Sequence, residues 1–189
     1  MESIDPRRLL AGIAKILNHL NIPYFVTGGM AVLIWGRPRF TADIDIVIQL
    51  KYENAVELKN ALLAFRKMGY IDEEAVKEAI RNKGEFNFID IESGVKIDFW
   101  ILKELDRLVA EQLKRRVAKK IFNEKVFFIS PEDLILSKLI WYEKSGESSR
   151  HIEDAESVFK ISGKNLDTGY LKKQAAKSGV AGVLKKFLE

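Results

Sequence analysis

The segment "DIDIVI", residues 43–48, is the feature that most restricts how this 189-residue chain folds. Isoleucines at every second position indicate a strand with one buried face. Asp43 and Asp45 project together from the other face, because side chains two positions apart on a strand point the same way. Their like charges repel, so either the strand end is solvated, one carboxyl is protonated, or a cation neutralises both.

A third carboxylate lies in the apolar segment "VKIDFWI", residues 95–101. A partly buried Asp98 needs a partner to offset its desolvation, and an ion pair with Lys96 or with an arginine would supply one. If this segment neighbours the first strand in a sheet, Asp43, Asp45 and Asp98 converge on one patch. Carboxylate oxygens are suitable ligands for Mg²⁺ or Mn²⁺, and three carboxylates are enough to bridge two such ions.

Gly28 and Gly29 stand between the strand-like segment "YFVT" and a short apolar helix. Glycines let backbone N–H groups approach a phosphate closely, and the N-terminus of a helix favours negative charge. Taken alone, a pair of glycines is more often a plain turn. The chain contains neither G-x-x-x-x-G-K-[ST] nor G-x-G-x-x-G, so the sequence does not indicate a P-loop or a dinucleotide-binding fold.

The rest of the chain alternates helical and strand patterns up to about residue 130 and is helical beyond it. It predicts an α/β (α+β) fold, with a mixed β-sheet core flanked by helices in residues 1–130 and a helical C-terminal part in residues 131–189. In the helix predicted for residues 53–68, the side chains expected to face the core are Val56, Leu58, Leu62, Leu63 and Phe65. The other predicted elements are hairpins at residues 85–101 and 119–130 and helices at residues 5–20, 72–82, 103–116, 131–144, 149–161, 166–178 and 180–188.

The amino-acid composition excludes several kinds of functional site. The absence of cysteine and the presence of only two histidines exclude disulfides, cysteine-ligated metals and a histidine-built zinc site. A net charge of +4, with basic clusters at residues 114–116 and 119–120, permits a nucleic-acid partner without demanding one. No apolar run reaches the roughly 18 residues of a membrane span, and the N-terminus does not resemble a signal peptide. We therefore expect a cytoplasmic protein without a membrane partner.

The order of these features resembles the nucleotidyltransferase superfamily that includes DNA polymerase β. Its signature is a G-[GS] pair followed by D-h-[DE]-h, where h is hydrophobic, and then an aspartate in a later strand. The run "GGMAVLIWGRPRFTADIDIVI" matches both parts of the signature, and Asp98 matches the later aspartate. The R-x-T-x-D-I-D motif within this run, and the segment "ISPEDLILSKLIWYEKSGESSRHIEDAESV", are most similar to the AbiEii-type and related uncharacterised prokaryotic nucleotidyltransferases.

This resemblance implies Mg²⁺- or Mn²⁺-dependent transfer of a nucleoside monophosphate from a nucleoside triphosphate to an acceptor. It implies that the metal ligands are Asp43, Asp45 and Asp98, which together with Lys138 would be the catalytic residues. It implies that the nucleotide-binding residues are Gly28, Gly29, Arg39, Thr41, Lys138 and Asp154.

Several of these residues also have an ordinary structural interpretation. Arg39 would equally pair with Asp43 or Asp45, Thr41 would cap the strand, and Lys138 would be a surface lysine. The acceptor is left open among RNA or tRNA, a protein side chain and a small molecule such as an aminoglycoside. Three further hypotheses are a non-catalytic nucleotide-binding module of the same fold, a toxin-like member with a cognate antitoxin-type protein, and a nucleic-acid-binding protein that uses its basic faces.

Overall fold

The computed structural model describes residues 5–102, 107–146 and 148–188. The chain forms two compact units. We call the first, Met1–Met30 with Thr41–Phe128, the sheet unit, and the second, Ala31–Phe40 with Ile129–Glu189, the helical unit. Whether residues 1–130 and 131–189 are separate folding domains stays a prediction.

Within the described residues, the sheet unit is built on one mixed sheet of seven strands: β1 (Tyr24–Val26), β2 (Asp43–Ile48), β3 (Gly69–Ile71), β4 (Glu85–Asp90), β5 (Val95–Ile101), β6 (Val117–Ile121) and β7 (Glu124–Phe128). Their order in the sheet is β3-β4-β5-β2-β1-β7-β6. Pairs β2–β5 and β1–β7 are parallel, and the pairs β1–β2, β3–β4, β4–β5 and β6–β7 are antiparallel.

Buried and more exposed residues alternate along the central strands, so the sheet has one buried face and one more exposed face there. In β2, β4 and β5, every second residue is fully or nearly fully buried, and the residues between are more exposed. The buried face includes Ile44, Ile97 and a stacked pair of rings, Phe86 and Phe99, whose centroids are 5.0 Å apart. The other face carries most of the polar side chains of the same strands, as the sequence predicted for β2, whereas Asp90 of β4 is fully buried.

In the part of the sheet unit that the structure describes, five α-helices begin: α1 (Pro6–His19), α2 (Gly28–Trp35), α3 (Ala55–Phe65), α4 (Glu73–Asn82) and α5 (Arg107–Arg115). Helix α1 begins where predicted, because the Asp5 carboxylate accepts a hydrogen bond from the Arg7 backbone N–H and Pro6 occupies the first turn. Helix α2 passes from the sheet unit into the helical unit after Met30. The first four residues of the helix predicted at 103–116 lie outside the described residues.

The prediction for α3 was wrong in part. Leu58 and Leu62 are buried, but Val56 is 48% exposed and Phe65 is 40% exposed. The apolar stripe of this short helix is narrow, and the Phe65 ring lies against Gly12 of α1 at the end of that stripe. Strand β3, which follows α3, was also missed.

The helical unit contains α6 (Pro131–Lys144), α7 (Ser149–Ser162), α8 (Thr168–Lys177) and α9 (Ala181–Leu188), with α6 packed on α7 and α8. Ser130 caps α6, and Pro131 occupies its first turn. Asp133 is fully buried and accepts hydrogen bonds from the hydroxyls of Ser130 and Tyr170, at 2.8 and 2.7 Å. The α/β fold with a mixed sheet and C-terminal helices is therefore confirmed. Within the described ranges, no helix combines the length and the apolar character needed to cross a membrane.

Candidate active site

The three predicted aspartates lie on one face of the sheet. Strands β2 and β5 are parallel neighbours, and their register pairs Asp45 with Asp98 and Asp43 with Lys96. Paired residues on adjacent strands project from the same face, and Asp43 lies two positions from Asp45. Their backbone positions are therefore adjacent on one face, as the sequence prediction required. We call Asp43, Asp45 and Asp98 the carboxylate face.

A lysine already interacts with this face. Lys96 Nζ lies 2.9 Å from Asp98 Oδ2, and the two side chains are 41% and 15% exposed. The hydrogen bond to Asp98 raises the pKa of Lys96, which burial opposes and which the charges of Asp43 and Asp45 reinforce. The ion pair of Asp98 with Lys96, one of the two interpretations of this carboxylate, is thus present, and it brings a positive charge to the carboxylate face.

The carboxylate face suits a divalent ion in its donor chemistry. All its donors are carboxylate oxygens, which Mg²⁺ and Mn²⁺ accept. Across the part of the chain that the structure describes, however, no three or more His, Cys, Asp or Glu side chains are grouped so that they would hold a metal ion. Asp98 would join a metal site only if its bond to Lys96 were exchanged for the metal.

Gly28 lies directly against the carboxylate face. Its φ is +59°, a conformation that side chains rarely adopt, and a Cβ placed on it would lie 1.8 Å from Asp45 Oδ2. The next backbone N–H towards the strand, that of Thr27, donates to the Asp45 carbonyl at 2.9 Å. A glycine is therefore required here for two reasons: the backbone conformation and the close approach of the carboxylate.

Gly29 and Thr41 form the neighbouring contact. A Cβ on Gly29 would lie 2.3 Å from Thr41 Oγ1, and that hydroxyl donates to the Asp43 carbonyl at 3.2 Å. This hydrogen bond caps the start of β2, as expected if Thr41 has a structural role. The same contact holds the start of β2 next to the glycine pair.

The other three predicted residues form a cluster in the helical unit. Arg39 donates two hydrogen bonds to Asp154, from Nε at 2.7 Å and from Nη2 at 2.8 Å, and Lys138 Nζ lies 2.8 Å from Asp154 Oδ2. Lys138 and Asp154 are buried, at 7% and 4% exposure, so Lys138 is not a surface lysine. Burial would raise the pKa of Asp154, but the hydrogen bonds from Arg39 and Lys138 outweigh it and lower that pKa. The cluster carries one positive charge in excess.

Sequence reasoning did not include three side chains on or beside the carboxylate face as site residues. Lys96 is the first, and Asn87 of β4, which pairs with Asp98, is the second. The third is Glu85, which pairs with Trp100 on the same face. The sequence signal for Asn87 and Glu85 is the alternation in "EFNFIDI" together with the hairpin turn before β5. These two features set the register between β4 and β5.

Comparison with known proteins identifies the fold. The chain matches no protein-family model and no curated protein sequence. It is similar to the solved structure of ANT(2″)-Ia in complex with adenylyl-2″-tobramycin, with a TM-score of 0.58 and 18% identity over 92% of this chain and 96% of that one. An antigenic nucleotidyltransferase-like protein from Paracoccidioides brasiliensis gives a TM-score of 0.56 and 20% identity, covering 93% and 90% of the two chains. The lincosamide antibiotic adenylyltransferase LnuA, bound to lincomycin, gives 0.52 and 16% over 78% and 92%.

The chain therefore has the fold of the nucleotidyltransferases. The likeness extends over most of each chain, so it includes the C-terminal helices as well as the sheet. The narrower resemblance to AbiEii-type proteins stays a prediction.

Proposed function

We propose that this protein is a metal-dependent nucleotidyltransferase, which moves a nucleoside monophosphate from a nucleoside triphosphate to an acceptor hydroxyl. One observation carries the proposal: Asp45 pairs with Asp98 across adjacent parallel strands, beside Asp43 and against the Gly28 turn. A sheet with only structural duties gains nothing from three carboxylates on one face, because their mutual repulsion destabilises it. The fold similarity supports the same reaction class.

In the proposed reaction, the acceptor oxygen forms a bond to the α-phosphorus. The bond from that phosphorus to the bridging oxygen breaks, and pyrophosphate leaves with the electron pair. Bound Mg²⁺ or Mn²⁺ would neutralise triphosphate charge and align the reacting oxygens. Asp43 and Asp45 would hold the ion, and Asp98 would complete the set or accept the proton of the acceptor hydroxyl. Gly28 and Gly29 would leave room for the phosphates beside the backbone.

The Arg39, Lys138 and Asp154 cluster is proposed to contribute to nucleotide binding. Its excess positive charge suits a triphosphate, and Asp154 positions both cations by direct bonds. In this arrangement Asp154 acts through Arg39 and Lys138 rather than on the nucleotide itself. Thr41 would act in the same way, by holding the start of β2 next to Gly29.

The direct test measures transfer from each α-³²P-labelled nucleoside triphosphate, with Mg²⁺ or Mn²⁺, to RNA, protein and aminoglycoside acceptors. Asp45→Asn and Asp98→Asn are expected to lower the rate at least about 100-fold, since each removes a charge from the carboxylate face. Asp72→Asn is the matched control: Asp72 caps α4, and asparagine caps a helix equally well. Equal labelling by wild type and Asp45→Asn across all acceptors would refute the proposal.

A non-catalytic nucleotide-binding module is the second candidate, and the Lys96–Asp98 ion pair favours it. A lysine bonded to the third carboxylate competes with the metal ion that transfer would need there, whereas binding of a metal–nucleotide complex needs only one or two carboxylates. That candidate predicts metal-dependent nucleotide binding that Asp45→Asn abolishes, together with no label transfer from any of the four triphosphates.

Experiments on the acceptor and on cell growth distinguish the remaining hypotheses. Two of the similar structures contain an antibiotic or an adenylylated antibiotic, so an aminoglycoside-like hydroxyl compound belongs on the acceptor panel. A toxin-like role with a cognate antitoxin-type protein predicts growth arrest on expression that Asp45→Asn relieves. Normal growth on expression of the wild-type chain would exclude that role.

A further inference from the structure

The hairpin of β6 and β7 carries a concentration of positive charge that the proposed chemistry does not use. Its two strands pair Lys120 directly with Lys125, and both side chains are exposed. Like charges on directly opposed residues destabilise a sheet, because their Cβ atoms are only about 5 Å apart. Among the described residues, no carboxylate lies within ion-pair distance of either lysine; the nearby Glu124 contacts Lys15 at 3.7 Å. The pair therefore needs an explanation.

Protection of a sheet edge explains only one of these two lysines. Strand β6 is the last strand of the sheet, and lysines on an edge strand discourage pairing with other chains. That reason applies to Lys120 but not to Lys125, which is on the inner strand β7. An anionic partner would stabilise both lysines at once.

The tip of the hairpin is an exposed aromatic residue in an unfavourable conformation. Phe122 and Asn123 form the two-residue turn with φ values of +45° and +70°. Such turns favour asparagine or glycine, and a bulky side chain at positive φ is unusual. Phe122 is nevertheless 46% exposed, and the Arg8 guanidinium lies over its ring at 4.7 Å from the centroid. Backbone strain of this kind is characteristic of functional positions.

A second aromatic residue with a cation beside it lies further along the hairpin. The Arg116 guanidinium lies 4.7 Å, and Lys125 Nζ 4.9 Å, from the centroid of the Phe127 ring. Arg116 and Phe127 line a cleft of about 210 Å³ together with Asn18, Asn21 and Tyr24. The Nε of Arg116 is buried and has no hydrogen-bond partner among the described residues. The cleft is smaller than the roughly 300–1,000 Å³ that hold a whole drug-sized ligand, and it suits one base or one sugar-phosphate.

We propose that this hairpin surface, formed by Arg8, Arg116, Lys120, Phe122, Lys125 and Phe127, binds single-stranded RNA. Alternating cations and aromatic rings are the chemistry by which proteins hold unpaired strands, with phosphates on the cations and bases stacked on the rings. The register of β2, β1 and β7 places Lys125 and Phe127 on the same sheet face as Asp45. The surface would then dock the acceptor, a role that rests on the proposed transfer, whereas the binding itself does not.

The test uses two substitutions whose effects on folding and binding have opposite signs. Lys120→Glu places a carboxylate opposite Lys125, and Phe122→Asn places a preferred residue in the turn, so the thermal unfolding midpoint is expected to stay or rise. Both are expected to weaken binding of a fluorescein-labelled 12-nucleotide RNA by about tenfold, measured by anisotropy in 100 mM salt with EDTA. For Lys120→Glu, the slope of log affinity against log salt falls by about 0.7 for each phosphate that the protein no longer neutralises.

Lys173→Glu is the control, because it makes the same charge change at an exposed position on α8. Asp45→Asn is expected to bind the RNA like wild type, so a failure of nucleotidyl transfer and a failure of RNA docking give different results. Wild-type affinity in both hairpin variants, or equal weakening in Lys173→Glu, would overturn the proposal. So would binding to phosphatidylserine vesicles that depends on Lys120 when the RNA does not bind.

Discussion

The residues of the carboxylate face meet two opposed demands. Under the proposed function, Asp43, Asp45 and Asp98 lie close together in order to share a cation, and the closeness costs free energy whenever no cation is present. Lys96 lowers that cost through its contact with Asp98. Gly28 makes the closeness geometrically feasible, because any side chain there would occupy the space of the Asp45 carboxylate. Two single substitutions separate these contributions.

Gly28→Ala tests the close approach. A methyl group 1.8 Å from Asp45 Oδ2 forces the carboxylate to move, so we expect Mn²⁺ affinity and transfer rate to fall at least about tenfold. The left-handed conformation adds about 1–2 kcal/mol of destabilisation. Gly94→Ala is the matched control, since its φ is +70° and nothing lies within 4 Å of the added methyl group. It should show the stability cost in urea unfolding without the loss of Mn²⁺ affinity, measured by electron paramagnetic resonance.

Lys96→Met tests whether the lysine competes with the metal. Removal of the ammonium frees Asp98, so we expect Mn²⁺ to bind about fivefold more tightly without nucleotide, which corresponds to about 1 kcal/mol. Lys77→Met, which removes a lysine from ion pairs with Glu73 and Glu74, provides the control and should leave Mn²⁺ binding unchanged. Weaker Mn²⁺ binding in Lys96→Met would mean that the lysine supports the metal site instead.

At the scale of elements, alternation was enough to predict the strands that carry the site. Strands β2 and β5 and the Gly28 turn were predicted because buried isoleucines and glycines leave clear patterns. Strand β3 was missed, since its three residues are too few to show a period. The register that pairs Asp45 with Asp98 was only a condition of the prediction, because pairing between distant strands depends on tertiary packing that one sequence pattern does not encode.

A buried ion pair joins two elements that the sequence treated separately. Arg66, at the end of α3, donates two hydrogen bonds of 2.8 Å to Asp90, the fully buried last residue of β4. Burial would raise the pKa of Asp90, but the bonds from Arg66 and Ser93 lower it. The carboxylate therefore stays charged in the folded protein and depends on the arginine.

Arg66→Met is expected to lower the free energy of unfolding by about 3 kcal/mol, because it leaves a buried charge without its partner. Urea unfolding at pH 7 measures this loss. Lys51→Met, which breaks a surface pair with Glu53, should cost no more than about 0.5 kcal/mol. A loss in Arg66→Met as small as that of the control would show that Ser93 and solvent suffice for Asp90.

For the whole molecule, the sequence proposed candidate site residues but not the contacts among them. It selected Arg39, Lys138 and Asp154 through the resemblance alone, and it offered Asp43 or Asp45 as partners of Arg39. The structure instead shows that Arg39 and Lys138 both bond to Asp154. Arg39 and Asp154 are 115 positions apart, and Lys138 and Asp154 lie on different helices, so no periodicity in the sequence links the three residues. Only the folded helical unit shows this cluster and the histidine beside it.

That histidine gives the whole protein a predictable response to pH. His151 stacks against Trp141, and the pKa of His151 is lowered by burial and by the charges of Lys138, Arg150 and Arg39, which Asp154 only partly offsets. The chain has no cysteine and one other histidine, so few groups titrate between pH 5 and 8. As pH falls through the unfolded-state value of about 6.5, the unfolded chain gains a proton that the folded chain does not. The stability that neutral His151 contributes is therefore fully present above about pH 6.5. It is lost as the pH falls, until the pH passes the lowered pKa of His151 in the folded protein.

His151→Phe keeps a ring against Trp141 and removes the titration, so it should flatten the fall in unfolding free energy between pH 7 and 5. Urea unfolding followed by tryptophan fluorescence at several pH values measures the slope. Because the lowered pKa arises from burial among cations, neutralising one of them should act in the same direction: Arg150→Gln is expected to reduce the slope partially. A slope that survives in His151→Phe would assign the pH response to another group and contradict the expected depression of the His151 pKa.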